Sequence, residues 1–309
     1  MSGRGRTAPR LLVFGCGYVG GAVVEASLAG GWEVTIVSRS AERMARFAGH
    51  PRAAAVAADL ATDTWHRRVP TAVDLAVNCV SGGGGSPQDY RRAYVEGMRS
   101  IAAWAGSAPP RTFVYTSSTG VYPQSGGETV SEEDAASMDN ASPRQRILLE
   151  AEALARRVPA ECRVVLRLAG IYGPGRHYLL DRLVDGVRVF EGTGNFYLNL
   201  IHREDALAAI LAAYAASLPP GAHTFNVADG HAATKAEIAA WLAARLKTPP
   251  PVFDPSRPSP RALRRLGPGG APPHRLVDPS AFKAATGWQP AYPSFEDGYL
   301  PILDMVRRC

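Results

Sequence analysis

The stretch "LLVFGCGYVGGAVVEASLAGG", residues 11–31, decides how the rest of the chain is read. Its first five residues are a short apolar run ending at Gly15, as a strand buried on both faces should be. The remainder reads as a helix that stops at Gly30-Gly31. Between the two lies G-x-G-x-x-G, formed by Gly15, Gly17 and Gly20. Gly15 allows a tight turn, Gly17 lets the backbone approach a pyrophosphate, and Gly20 lets helix and strand pack closely. The helix N-terminus, with Tyr18 and Val19 in its first turn, offers N–H groups and a positive dipole to phosphates. Set between a strand and a helix, the motif predicts a dinucleotide site.

The same alternation repeats outward from this unit. Apolar runs at 33–39, 53–60, 72–80, 111–118 and 162–170 are separated by helical patterns at 40–49, 88–106 and 142–158. Strand and helix recurring every 20–30 residues means βαβ units with right-handed crossovers. The expected fold class is therefore α/β, a doubly wound parallel sheet (Rossmann) with a smaller C-terminal cap on the substrate side. After residue 170 the alternation loosens. Helices are expected over 202–218, 235–247, 279–286 and 294–307, a strand over 222–228, and a mobile loop over the Pro-, Gly- and Arg-rich stretch 248–275. The expected division is a disordered tail over 1–10, a dinucleotide-binding domain over 11–170 to which 199–227 returns, and a substrate-binding cap from 171–198 and 228–309.

Composition bounds the function. The 309 residues are 46 % hydrophobic and 20 % charged, an ordinary globular balance. No apolar run reaches the roughly 18 residues of a membrane helix. The basic start "MSGRGRTAPR" has no apolar segment before the first strand, so no secretory signal is expected. Cys16, Cys79, Cys162 and Cys309 show no paired spacing, so a reduced, cytoplasmic protein is expected. The net charge of +6 comes mainly from arginine, scattered and without interleaved aromatics. That argues against nucleic acid and suits an anionic cofactor or substrate. No metal-ligand spacing is visible.

The end of the second strand selects the cofactor. A carboxylate there would bind the ribose 2′-hydroxyl of NAD. The sequence has Ser38, Arg39 and Ser40 instead, and Glu42 already lies inside the next helix. A guanidinium and two hydroxyls suit a 2′-phosphate, so the expected cofactor is NADP(H). Asp59 and Leu60 after the third strand are expected at the adenine edge. Asn78, Cys79 and Ser81 after the fourth should run beneath the ribose. After the fifth strand, "YTSSTGVYPQ" (115–124) reads as the lip of an active site, with Ser117 on the cofactor and Ser118, Thr119 and Tyr122 toward a substrate.

With these motifs in order, the chain resembles the extended short-chain dehydrogenase/reductase superfamily, the NAD(P)-dependent epimerase/dehydratase group. The resemblance rests on "GCGYVG", "AYVEGMRSI", "YTSSTGVY", "RLAGIYGPGR", "NLIHREDAL", "FNVADG" and "AFKAATGWQPAYPSFEDGY". It implies a cofactor domain, a substrate cap and a Ser/Thr–Tyr–Lys catalytic set, in which the Tyr is the acid/base and the Lys lowers its pKa. Ser118 falls on the family's catalytic Ser/Thr. The Tyr-x-x-x-Lys does not carry over. Its expected place holds Ser142, Pro143, Arg144, Gln145 and Arg146, no Tyr lies between Tyr122 and Tyr172, and no Lys precedes Lys235. Arg146 can keep the ribose contact but not replace the phenol. Tyr94 stands where the family has an Asn, and the glycine motif is one residue shorter than usual. These departures match an atypical branch that keeps the cofactor fold.

Catalysis must then draw on other groups near the carboxyl edge of the sheet: Ser118, Tyr94, Tyr172 and His177. Arg176 and Tyr178, in the loop "IYGPGRHY" (171–178), are expected to bind substrate. His202 and Asp205 read as a structural hydrogen bond and a helix cap. The expected activity is an NADP(H)-dependent oxidoreductase on a small carbonyl, imine or sugar-like substrate. A non-redox epimerase, dehydratase or cyclase, and an inactive NADP(H)-binding sensor, stand as alternatives. The resemblance also implies a homodimer, through "AYVEGMRSIAAWA".

Overall fold

The computed structural model describes residues 8–82, 86–257 and 272–306. The expected tail up to residue 7, the centre of the glycine run at 83–85, residues 258–271 of the expected mobile loop, and Cys309 lie outside the described residues.

In chain order the strands are β1 (Arg10–Phe14), β2 (Glu33–Ser38), β3 (Ala53–Ala57), β4 (Leu75–Asn78), β5 (Thr112–Ser118), β6 (Glu128–Val130), β7 (Cys162–Leu168) and β8 (Gly170–Tyr172). They continue as β9 (Val189–Glu191), β10 (Tyr197–Leu198), β11 (Leu200–His202), β12 (Gly221–Val227), β13 (Ala233–Thr234), β14 (Val252–Asp254) and β15 (Arg275–Val277). The helices are α1 (Tyr18–Ala29), α2 (Ala41–Ala45), α3 (Pro87–Arg91), α4 (Gly97–Ser107), α5 (Pro143–Ala155), α6 (Tyr178–Val184), α7 (Arg203–Ala215), α8 (Lys235–Arg245), α9 (Ser280–Thr286) and α10 (Phe295–Val306).

Seven parallel strands form one sheet in the order β12-β7-β5-β4-β1-β2-β3. The order reverses between β1 and β4, the place where doubly wound sheets bind ligands at their carboxyl edge. Alternation along β1 shows why the strand is apolar throughout. Leu11 and Val13 face the layer of α1 and α7, whereas Leu12 and Phe14 face α4 and α5. On the second face Phe14 packs edge-on against Trp65 and Trp104, with centroids 5.1 and 5.8 Å away.

A separate apolar cluster joins Tyr172, α6, Phe190, α8 and α10, with Leu180, Ile238 and Ile302 at its centre. The stretch after 228 does not all join this cluster. Val277, Phe282 and Trp288 pack into the main core, where Phe282 meets Phe225 of the edge strand β12 at 5.5 Å. An edge strand needs such a cover on its exposed side.

Three local expectations are corrected. The helix expected over 88–106 is α3, a π-helical turn over Arg92–Glu96 and then α4. Of the expected loop 171–178, Ile171 and Tyr172 belong to β8 and Tyr178 opens α6. Within the expected loop 248–275, β14 pairs with β9, and β15 begins at Arg275 and pairs with β6.

Candidate functional site

The glycine turn is built as its spacing demands. Gly15 adopts φ +92°, where a side chain is strained, and a Cβ there would stand 3.0 Å from Val80 Cγ2. A Cβ on Gly20 would collide with the Gly15 carbonyl and lie 3.1 Å from Cys79 Cβ, so helix and strand touch through this residue. Gly17 is the N-cap of α1, without a side-chain cap, and a Cβ there would meet nothing within 4 Å. No acid occupies the first turn of α1. The turn therefore presents uncapped N–H groups and positive dipole to open space, which fits a dinucleotide's pyrophosphate. Val19 is buried beneath it.

At the end of β2 both serines accept backbone N–H groups, Ser38 Oγ from Ser40 (3.3 Å) and Ser40 Oγ from Arg43 (3.3 Å). Their own protons remain available to donate. Arg39 is exposed between them. Asp59 is half-buried, which raises its pKa. The Ala61 N–H at 3.0 Å, Arg92 at 3.1 Å and the charge of Arg39 outweigh this and hold the carboxyl below its ordinary range. Leu60 is buried beside it. Asn78 is enclosed, its Oδ1 accepting from Val80 N at 3.0 Å. Cys79 packs under Gly20, and burial pushes its thiol up to about 12. Ser81 is exposed just beyond.

The β5 edge differs from expectation. Ser117 does not face the cofactor turn. It lies on the α5 side, buried, and donates to Glu152 at 2.6 Å. Ser118 points the other way, because successive strand residues alternate. It caps the next turn, accepting from Gly120 N at 3.0 Å, and is half-exposed. Thr119 follows, also half-exposed.

Glu152 is the centre of an interior ion cluster. Arg167 donates to both its oxygens, at 3.0 and 2.9 Å, and to the Tyr122 hydroxyl at 3.0 Å. Tyr122 in turn donates to Asn226 Oδ1 at 2.5 Å. Tyr122, expected on the substrate, is thus an interior residue, 1 % exposed, with its hydroxyl spoken for. Arg275 closes the arrangement by donating to the carbonyls of Tyr122, Gln124 and Thr119 at 2.8, 3.0 and 2.9 Å. This clamp was missed from sequence. An Arg and a Glu inside otherwise apolar elements (Arg167 in "RVVLRLAG") are the signal that was present.

Tyr172 is likewise enclosed. It stacks on Tyr299 at 4.9 Å and donates to the Ser294 carbonyl at 3.4 Å, within the second apolar cluster rather than toward the glycine turn. Tyr94 is half-buried against Tyr90, with centroids 4.5 Å apart, and burial raises its pKa above the ordinary phenol. Arg146 is exposed and donates to the Asp139 carbonyl at 3.4 Å. His177 Nδ1 stands 2.7 Å from Asp181 Oδ1, an ion pair whenever the imidazole is protonated. Tyr178 accepts from Arg182 at 2.8 Å. His202 caps α7, its Nδ1 accepting from Glu204 N at 3.4 Å, and Asp205 accepts from Ala291 N and Tyr292 N at 2.7 and 3.0 Å.

One junction brings expected residues together. Tyr18, the first residue of α1, reaches over to the 173–176 loop and donates to the Pro174 carbonyl at 3.0 Å. Arg176 and Arg203 hold their guanidinium carbons 5.4 and 5.1 Å from its ring centre. The glycine turn and the 173–176 loop therefore meet at Tyr18. Among the described residues no group of three His, Cys, Asp or Glu side chains could hold a metal, and no helix is long and apolar enough to cross a membrane.

Comparison with known proteins follows the same lines. Residues 11–228 match the family model described as NAD dependent epimerase/dehydratase family. A solved structure of UDP-glucuronic acid 4-epimerase from Bacillus cereus, in complex with UDP-glucuronic acid and NAD, superposes with a TM-score of 0.79 at 17% identity, covering 97% of this chain and 99% of that one. Protein YeeZ of Escherichia coli is 30% identical over 134 residues, 43% of this chain and 46% of its own length. A 3-diazoavenalumate denitrifying reductase from a Streptomyces species is 30% identical over 145 residues, 44% and 45% of the two chains. The chain thus aligns with about half the length of these curated relatives.

Proposed function

Because the chain belongs to the NAD dependent epimerase/dehydratase family, we propose that it is an NADP(H)-dependent oxidoreductase of the extended short-chain dehydrogenase/reductase type. Its substrate is a small carbonyl, imine or sugar-like molecule. The observation that carries this reading is the open, uncapped glycine turn beside Ser38, Arg39 and Ser40, with no carboxylate at the end of β2. The Bacillus cereus neighbour holds NAD and a sugar nucleotide, and one curated relative is named a reductase, which supports the coarser part of the reading.

When bound, the nicotinamide cofactor supplies hydride exchange. The chain's own residues do the rest. The N–H groups after Gly17 take the pyrophosphate, and Arg39 with the two serine hydroxyls takes the 2′-phosphate. Asn78 to Ser81 support the ribose, and Ser118 donates to the substrate's oxygen from the β5 edge. The cap, with Arg176 and Tyr178 at its rim, closes over the substrate. A second reading, a non-redox enzyme or a dinucleotide sensor, rests on the first turn of α5. There Ser142 and Gln145 form a capping box where the family's phenol and ammonium belong.

Titration of NADPH and NADH into the wild type and R39D tests the cofactor assignment. R39D is expected to weaken NADPH by at least about tenfold, the cost of one charge-assisted contact, and to leave NADH nearly unchanged. Equal effects overturn it. Steady-state NADPH oxidation over a panel of carbonyls and imines separates the enzyme from the sensor.

A further inference from the structure

The family's acid is missing, yet a proton must reach the substrate's oxygen. The stretches outside the described residues contain no Tyr, His or Lys and no carboxylate side chain, so every such side chain can be placed. Tyr115, Tyr122, Tyr172 and Tyr299 are enclosed, each 4 % exposed or less. Tyr214 packs on Trp32, in the layer of α1 and α7, and Tyr197 stacks on His274.

Tyr18 differs from all of these. It is half-exposed, it belongs to the cofactor turn itself, and its hydroxyl crosses to the cap loop. A substrate held between that turn and the cap must meet it. Two guanidiniums flank its ring, in the electrostatic role the family gives to lysine. Glu204 holds Arg203 at 2.7 Å, while Arg176 lies on the exposed 173–176 loop. Gly173 makes the approach possible. It adopts φ +146°, and a Cβ there would stand 2.8 Å from the Tyr18 hydroxyl oxygen and 3.3 Å from His202 Nε2. That imidazole nitrogen is buried and has no partner among the described residues. Its Nδ1 accepts from Glu204, so in the neutral ring Nε2 carries the proton and points a second donor at the same spot.

We propose that Tyr18 is the proton donor to the substrate's carbonyl oxygen, with Arg176 and Arg203 as the positioning residues that stabilise its phenolate. The assignment rests on the oxidoreductase reading above. As the carbonyl carbon gains hydride from the reduced nicotinamide, its π electrons move to the oxygen. The phenol O–H bond breaks, the alcohol O–H bond forms, and the phenolate regains a proton from water. Burial raises the Tyr18 pKa against the pull of Arg203 and Arg176, so the group enters the step protonated, as a donor must.

The test compares two acceptors with NADPH, 4-nitrobenzaldehyde and N-methyl-3,4-dihydroisoquinolinium. The second carries its own positive charge and needs no proton when it takes hydride. In Y18F, aldehyde reduction is expected to fall by about a hundredfold or more, while iminium reduction stays within about threefold. NADPH affinity, read by fluorescence, is expected to stay within about twofold of wild type. R176Q and R203Q should lower aldehyde turnover more than iminium turnover. Equal losses on both acceptors, no loss on either, a tenfold weaker NADPH complex in Y18F, or a wild type that binds NADPH and reduces neither acceptor overturns the Tyr18 assignment. Failure of the wild type to bind NADPH overturns the proposed function with it.

Discussion

Two stretches of the sheet's carboxyl edge handle polar groups in opposite ways. At the β1 turn the polar groups are backbone N–H groups left open by glycine, with no acid in the first turn of α1 and nothing over Gly17. At the β5 turn they are side chains folded inward, where Ser117, Tyr122, Glu152 and Arg167 bond one another and Arg275 donates to the Tyr122 carbonyl. One stretch is left open. The other holds its own shape, with Ser118 and Thr119 half-exposed at its edge. A strand-end turn can therefore be mostly scaffold even when its sequence is rich in hydroxyls.

The sharpest break of this contrast is E152Q. It leaves Arg167 charged and nearly enclosed without its counter-ion, which costs about 3–5 kcal/mol. Urea unfolding should show that loss, and E152Q/R167L should recover part of it. A change below about 1 kcal/mol would mean the interior cluster is not what holds the β5 turn. On the open side, G20A forces the helix off the Gly15 carbonyl and should weaken dinucleotide binding by at least about tenfold. Calorimetric titration reads this directly.

Acid–base behaviour sharpens the picture away from both turns. Burial raises the Asp229 carboxyl to about 7, although the N–H groups of His231 and Gly230 and the charge of Lys283 oppose it. The folded state then holds a proton that the unfolded chain releases near 4. Its stability contribution is present below that value and is lost as pH rises from about 4 to about 7. D229N should raise stability at pH 8 by about 1–3 kcal/mol and change little at about pH 4. His202 works in the other direction. Burial lowers its pKa, so protons favour the unfolded chain and stability falls as pH drops below about 6.5. The smallest effect expected is S117A, about 1–2 kcal/mol less stable through its lost bond to Glu152, with NADPH affinity within about twofold. A large loss of affinity would return Ser117 to the cofactor.

What could be read from sequence follows from which forces act locally. The βα alternation and the glycine turn are backbone properties written in consecutive residues, and the strand runs match β1 to β5 and β7 closely. The β5 turn depends on partners 35 to 156 residues away, which no local pattern records. Period-two alternation did hold part of the answer, since Ser117 and Ser118 cannot face the same side of one strand. The π-helical turn at Arg92–Glu96 was hidden because apolar residues continue through it. Helix α6 is seven residues long, shorter than the window in which helical period shows. Arg275 sits at the end of a stretch whose proline and glycine content reads as loop, although its guanidinium is among the most heavily used in the molecule.

That guanidinium sets an order on how the molecule is made. The glycines of the first turn, unlike Tyr18, find their neighbours no farther along than Val80, so a growing chain has those within its first third. The turn after Ser118 closes through bonds spanning 151 to 156 residues. Closing such long loops is slow and comes after local structure. During synthesis the glycine turn can begin to take shape long before the β5 turn, and a chain cut short of residue 275 would lack the bonds that close the second.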